Sequence, residues 1–192
     1  MQKVLILDNY DSFTYNLYHY IESMDGVEVD VYRNDEIKSS FAKSYDTLIF
    51  SPGPGLPKDA GIMPECIDTW FGKKKMLGVC LGHQAIAEYC GAELLNLPQV
   101  LHGISTKMKV VDLLDPIYKG IPFTSEVARY HSWTVNPTSM PTNLKITAED
   151  ELGNILSFRH LEAPVWGLQY HPESVLTPFG KSILSNFISL PF

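Results

Sequence analysis

A cysteine stands between two glycines in "GVCLG", with Gly78 two residues before Cys80 and Gly82 two residues after it. The run falls where an apolar strand pattern, "KMLGVC", gives way to a helical one, "HQAIAEYC". A nucleophile on a sharp strand-to-helix corner needs small neighbours two positions away, so that strand and helix can approach. Such a corner puts the sulfur at a helix N-terminus, where unpaired N–H groups and the helix dipole favour a thiolate. It also aims the N–H of Leu81 at the spot where an oxyanion would form. Glycines flank small buried thiols as well, and the pentapeptide alone leaves both readings open.

A thiol nucleophile needs a base, and the base needs a group that fixes its tautomer and supports its charged form. "GLQYHPES" offers both in one stretch: His171, Glu173, and Pro172 stiffening the step between them. The same octapeptide also reads as a surface loop with an incidental histidine. His19, on an amphipathic helix, and His102 and His160, in polar surroundings, are weaker candidates. "SPGPGLP" directly follows the strand pattern "DTLIF". Pro52 and Pro54 have no N–H, so Gly53 and Gly55 are the backbone donors that could serve an oxyanion and a substrate there. A plain tight loop is the other reading, and the motif is not a phosphate cradle.

The elements that must position these groups alternate in the first half of the chain. "KVLILD", "DTLIF" and "KMLGVC" are short apolar runs of the kind buried on both sheet faces, and "VEVDVY" alternates with period two. Between the first two, "SFTYNLYHYIESM" carries Phe13, Leu17, Tyr20, Ile21 and Met24 on one helical stripe. Gly91 is placed to cap the helix after Cys80. From about Leu97 to Asn143, short alternating pieces such as "TKMKVVDL" and "ARYHSWTV" predict hairpins or meandering edge strands. "NILSFRH" and "PVWGLQY" read as further strands. "TPFGKSILSNFISL" reads as a closing helix capped by Thr177, with Pro178 in its first turn and Ile183, Leu184, Phe187 and Ile188 on its apolar face. The expected fold class is α/β. It has three layers, a mostly parallel central sheet with helices on both faces, and a smaller antiparallel edge portion in the second half. One domain is expected over residues 1–192.

A formal charge of −7 and scattered lysines argue against a nucleic-acid partner. The one basic run, "KKK" at 73–75, reads as a solvated strand entry. No apolar stretch is long enough for a membrane span, and the apolar run before Asp8 is too short for a signal-peptide core. Three cysteines without framework spacing fit a reducing compartment, so a cytoplasmic location is expected.

"SPGPG", "GVCLGHQ" and "GLQYHPES", in that order, resemble the class I (triad-type) glutamine amidotransferases. "DNYDSFTYNL" at 8–17, "RNDE" at 33–36 and "RYHS" at 129–132 narrow the likeness to the glutaminase subunits of anthranilate synthase and aminodeoxychorismate synthase. The resemblance implies that Cys80 attacks the carboxamide of L-glutamine, His171 moves the protons and Glu173 orients it. It implies an oxyanion hole of the Gly55 and Leu81 N–H groups. Glutamine contacts would come from Gly53, Pro54, Gly55, Gln84, Ser132 and Trp133. Ammonia would pass to a separate chorismate-binding synthase subunit. No cofactor is implied for this chain, Mg2+ being expected in the partner. The family often shows lysine where this chain has Ile104, and leucine where it has Trp133.

Three other readings compete. Cys80 and His83 have C-x-x-H spacing, but a zinc site usually needs a close cysteine pair and a fourth ligand, so no metal is expected. Cys66 and Cys90 read as core thiols. A cysteine α/β-hydrolase would carry its acid on a separate segment before the histidine, whereas Glu173 follows His171. A regulatory homologue would bind the synthase without turnover, and the intact Cys80, His171 and Glu173 set counts against it.

Overall fold

The computed structural model describes residues 1–191. Nine strands form one sheet: β1 (Gln2–Asp8), β2 (Val27–Arg33), β3 (Thr47–Phe50), β4 (Lys75–Val79), β5 (Leu94–Val110), β6 (Thr124–Val135), β7 (Leu144–Asp150), β8 (Ile155–His160) and β9 (Val165–Leu168). The helices are α1 (Thr14–Glu22), α2 (Met63–Trp70), α3 (Leu81–Tyr89) and α4 (Gly180–Ile188). In the sheet order β2-β1-β3-β4-β9-β8-β7-β5-β6, pairing is parallel from β2 to β9 and antiparallel from β9 to β6.

Strand side chains alternate between two cores. Val4, Ile6, Ile49, Leu77 and Val79 bury against Leu17 and Ile21 of α1 and Ile183, Leu184 and Phe187 of α4. Leu5, Leu7, Leu48, Phe50 and Met76 bury against Met63 and Ile67 of α2 and Leu81 and Ile86 of α3. Continuous apolar runs are what strands covered on both faces require, and the three-layer α/β expectation holds. No helix among the described residues is long and apolar enough to cross a membrane.

Four local expectations are corrected. Lys74 and Lys75 are buried, not solvated: the Lys75 ammonium donates to the Ile188 carbonyl at 2.8 Å and the Leu190 carbonyl at 2.9 Å. It thereby partners carbonyls that the end of α4 leaves unpaired, and burial pulls its pKa down to about 8. Phe13 precedes α1 rather than joining its stripe. The edge pairing of β5 is far longer than its pattern suggested, with irregularities between Asn96 and Leu101 and between His102 and Ile104. Thr177 does not cap α4, whose first turn follows Phe179 without a side-chain cap. Its hydroxyl instead donates to the His171 carbonyl at 2.7 Å and accepts the Ala128 N–H at 3.0 Å. That one hydroxyl ties the segment after β9 to β6. Gly91, by contrast, sits just past α3 with φ 102°, as expected of a helix-ending glycine.

His83, in the first turn of α3, is fully buried with its ring 4.6 Å from that of Phe158. A Cβ on Gly167 of β9 would come within 2.8 Å of its Nδ1, so α3 lies directly on the strand. Burial pushes the His83 pKa down from 6.5 to about 3.

Two outcomes test this packing. Thr177→Val keeps the shape but leaves the buried Ala128 N–H unpaired, and should cost about 1–3 kcal/mol in urea denaturation. The folded chain refuses a proton at His83 that the unfolded chain accepts. Its contribution is therefore complete above pH 6.5 and drains as pH falls toward 3. Across that window the stability advantage of wild type over His83→Met should shrink by up to about 1.4 kcal/mol per pH unit. A constant difference would mean that the buried ring takes up its proton without penalty.

Candidate active site

β3, β4 and β9 are adjacent and parallel, so their carboxyl ends share one rim of the sheet. The "SPGPG" loop leaves β3, Cys80 leaves β4, and Gln169 to Glu173 leave β9. Parallel pairing thus brings to one place groups that lie far apart along the chain, at the edge where open α/β sheets gather ligands.

Cys80 has φ 51° and ψ −98°, a region that non-glycine residues avoid. Its backbone N–H donates to the Leu168 carbonyl at 2.7 Å, and its own carbonyl accepts the first α3 bond, from the Gln84 N–H at 3.1 Å. The flanking glycines answer a specific crowding. A Cβ at position 78 would lie 2.3 Å from the Gly82 backbone, and one at 82 would lie 2.4 Å from the Phe50 carbonyl oxygen. Cys80 is buried, like Cys66, and Cys90 is half-buried; burial holds the Cys66 and Cys90 thiols up at about 12 and about 11. Cys66 is a core thiol, Cys90 packs partly buried against the same core, and Cys80 occupies the strained corner.

His171 Nδ1 lies 2.6 Å from Glu173 Oε1, and both residues are almost wholly buried. Burial opposes a charged imidazole. The Glu173 carboxylate, with the Cys80 sulfur acting in the same direction, overrides that and raises the His171 pKa well above its ordinary 6.5. With Nδ1 committed to the carboxylate, Nε2 is the nitrogen left to exchange a proton, and it has no hydrogen-bond partner among the described residues. Tyr130 and Phe13 pack on the ring at 4.9 and 5.7 Å. Phe13 therefore serves this site rather than its helix.

A cavity of about 90 Å3 opens beside the sulfur, lined by Gly53, Gly55, Cys80, Leu81, Gln84, Tyr130, His131, Ser132 and Trp133. Of the sequence candidates, Pro54, His171 and Glu173 do not line it; the His171 ring packs on Tyr130, which does. A Cβ on Gly53 would strike the Asn9 carbonyl at 2.5 Å, while Gly55 is needed for its φ of 77°. Trp133 contributes its carbonyl, which accepts from Gln84 Nε2 and His131 Nδ1, both at 2.8 Å. The exchange of leucine for tryptophan thus leaves this backbone contact untouched. Ile104 lies 38% exposed on β5 and does not line the cavity.

Asn9, His131 and Gln169 belong to this site and were not singled out by sequence. Asn9 fixes the Pro/Gly loop: its N–H donates to Ser51 Oγ at 2.8 Å and its amide to the Ser51 carbonyl at 2.9 Å. Its place in "DNYD" and the place of His131 in "RYHS" were the available signals. Gln169 sits inside "GLQYHPES" itself.

The family description "Glutamine amidotransferase class-I" matches residues 5–190. The aminodeoxychorismate/anthranilate synthase component 2 of Bacillus subtilis is 41% identical over 187 residues, 96% of this chain and 95% of that protein. The bifunctional protein TrpGD of Thermotoga maritima is 39% identical over 99% of this chain, which spans only 32% of that protein's length. A solved structure described as a putative GMP synthase protein from Thermoplasma acidophilum superposes with a TM-score of 0.87. It is 27% identical, over 98% of this chain and 92% of that one. With the cysteine corner, the buried histidine–carboxylate pair and the Pro/Gly loop meeting on one rim, this chain belongs to the class I glutamine amidotransferases.

Proposed function

We propose that this chain is the glutaminase subunit of a chorismate-aminating synthase of the anthranilate type. The observation that carries the reading is the buried His171–Glu173 pair, 2.6 Å apart, behind a cysteine held at positive φ. His171 Nε2 takes the proton of the Cys80 thiol, and the thiolate attacks the side-chain carboxamide carbon of L-glutamine. The N–H groups of Leu81 and Gly55 stabilise the oxyanion. Leu81 opens α3, whose first-turn amides have no intrahelical acceptor. The C–N bond then breaks, His171 returns its proton to the leaving nitrogen, and ammonia departs. Water, deprotonated by His171, attacks the γ-glutamyl thioester and releases glutamate and the Cys80 thiolate.

Gly53, Pro54, Gly55, Gln84, Ser132 and Trp133 hold the substrate in this reading, and five of the six already line the cavity. The acyl chemistry asks for no cofactor in this chain, and Mg2+ belongs with the chorismate-binding partner. Residues 1–192 act as one amidotransferase domain in the cytoplasm. The component 2 designation of the Bacillus subtilis relative supports a component 1 partner. Because that name carries both products, the test of this reading follows both anthranilate and aminodeoxychorismate.

Cys80→Ala should abolish glutamine-dependent product formation by the reconstituted synthase and leave ammonia-dependent formation intact. Loss of both activities would remove the role assigned to the sulfur. His171→Asn should slow thioester formation roughly 10²–10⁴-fold, the usual weight of a general base. Rapid-quench trapping of the thioester at the wild-type rate would show that the proton goes elsewhere.

A further inference from the structure

Gln169 is completely buried between β9 and His171, and no step above uses it. Its backbone N–H donates to the Leu156 carbonyl at 2.8 Å, which pins it to the neighbouring strand β8. Its side-chain Nε2 donates to Cys80 Sγ at 3.6 Å, while Gln84 Nε2 donates to its Oε1 at 3.2 Å.

The orientation of that amide is dictated step by step. A guanidinium only donates, so the Arg129 Nε bond of 3.0 Å makes His131 Nε2 an acceptor. His131, kept neutral by burial with the Arg129 charge beside it, must then carry its proton on Nδ1 and donate to the Trp133 carbonyl. The same carbonyl can only accept, so Gln84 presents its nitrogen there. The second N–H of that nitrogen reaches Gln169, which must answer with oxygen. Gln169 is left with its own N–H groups toward the sulfur. Asp150, 2.6 Å from Arg129 Nη1, anchors the far end of the line.

We propose that Gln169 is a catalytic residue, a fixed N–H donor to the Cys80 sulfur whose amide is oriented by Gln84, itself oriented by the Trp133 carbonyl. The proposal rests on Cys80 being the nucleophile. A hydrogen bond to sulfur is stronger when the sulfur is charged than when it is acylated. The donor therefore favours the thiolate before attack and again as the thioester breaks; the amide proton itself is never transferred.

The test is a pH titration of thiolate ultraviolet absorbance in the full-length chain, each variant corrected by its Cys80→Ser counterpart. In Gln169→Met, which fills similar space without a donor, the thiolate should appear roughly one to two pH units higher. That corresponds to a ten- to hundredfold loss, the usual weight of a hydrogen bond to a charged group. Glutamine turnover at neutral pH should fall in proportion, while ammonia-dependent synthesis by the partner stays unchanged. Gln169→Glu, nearly isosteric, places an acceptor against the sulfur, so its turnover should recover as pH falls and the carboxyl regains a proton. An unmoved thiolate titration in a folded variant, whatever the turnover, would reduce Gln169 to packing. If the methionine variant does not fold, the glutamate variant decides by the same titration. A wild type that turns over no glutamine would overturn the function proposed above, yet the titration would still decide the place of Gln169.

Discussion

The tight approach of α3 to the sheet is the constraint from which the rest of the site follows. Cys80 is held at φ 51° because the helix that begins at Leu81 must turn back onto β3 and β9 within one residue of the end of β4. Backbone in that region costs of order 1–3 kcal/mol and persists only where the surroundings leave no alternative. Here they leave none. Gly82 lies on the Phe50 backbone, Gly78 lies against Gly82, and His83 fills the space beside Gly167. The fully buried Leu77, Val79, Ile86 and Leu168 seal both sides of the corner.

Around that corner the polar groups are nearly all removed from water, and this sets their chemistry. Glu173 and His171 form an ion pair without solvent to screen it, so the carboxylate governs the charge of the ring despite the penalty of burial. His131, equally enclosed but beside the Arg129 cation, is driven the other way, down to about 3. Two histidines on neighbouring segments of one site thus hold opposite protonation tendencies: burial lowers both, the Arg129 charge adds to it at His131, and the Glu173 carboxylate overrides it at His171. One suits proton transfer and the other suits permanent service as a neutral bridge.

Much of this was readable in advance. The apolar runs of β1, β3 and β4 declare a parallel sheet covered on both faces. Gly78, Cys80 and Gly82 declare the corner, because the steric need of a strand-to-helix turn falls on residues adjacent in sequence. Lys75, Thr177 and Gln169 escaped because each is defined by a partner far along the chain. The lysine meets carbonyls at 188 and 190, the threonine meets the backbone of Ala128, and the glutamine meets Cys80 and Gln84. Local pattern reads a lysine as solvated and a threonine before proline as a cap; only the assembled sheet supplies the acceptors that reverse those readings. Phe13 escaped for a related reason, since its periodicity suits α1 while its ring settles on Tyr130 and His171.

The placement of α4 has a mechanical consequence. Its first residue, Gly180, is wedged against the carbonyl of Pro172, next to His171, so tightly that a methyl group there has no room. Its other end is gripped by the ammonium of Lys75, the opening residue of the strand that delivers the cysteine. Nine helical residues, about 13 Å long, therefore act as a strut joining the histidine loop to the base of β4. Sliding one strand past the other would have to stretch or break that strut, so sulfur and imidazole keep their register through a brace that touches neither.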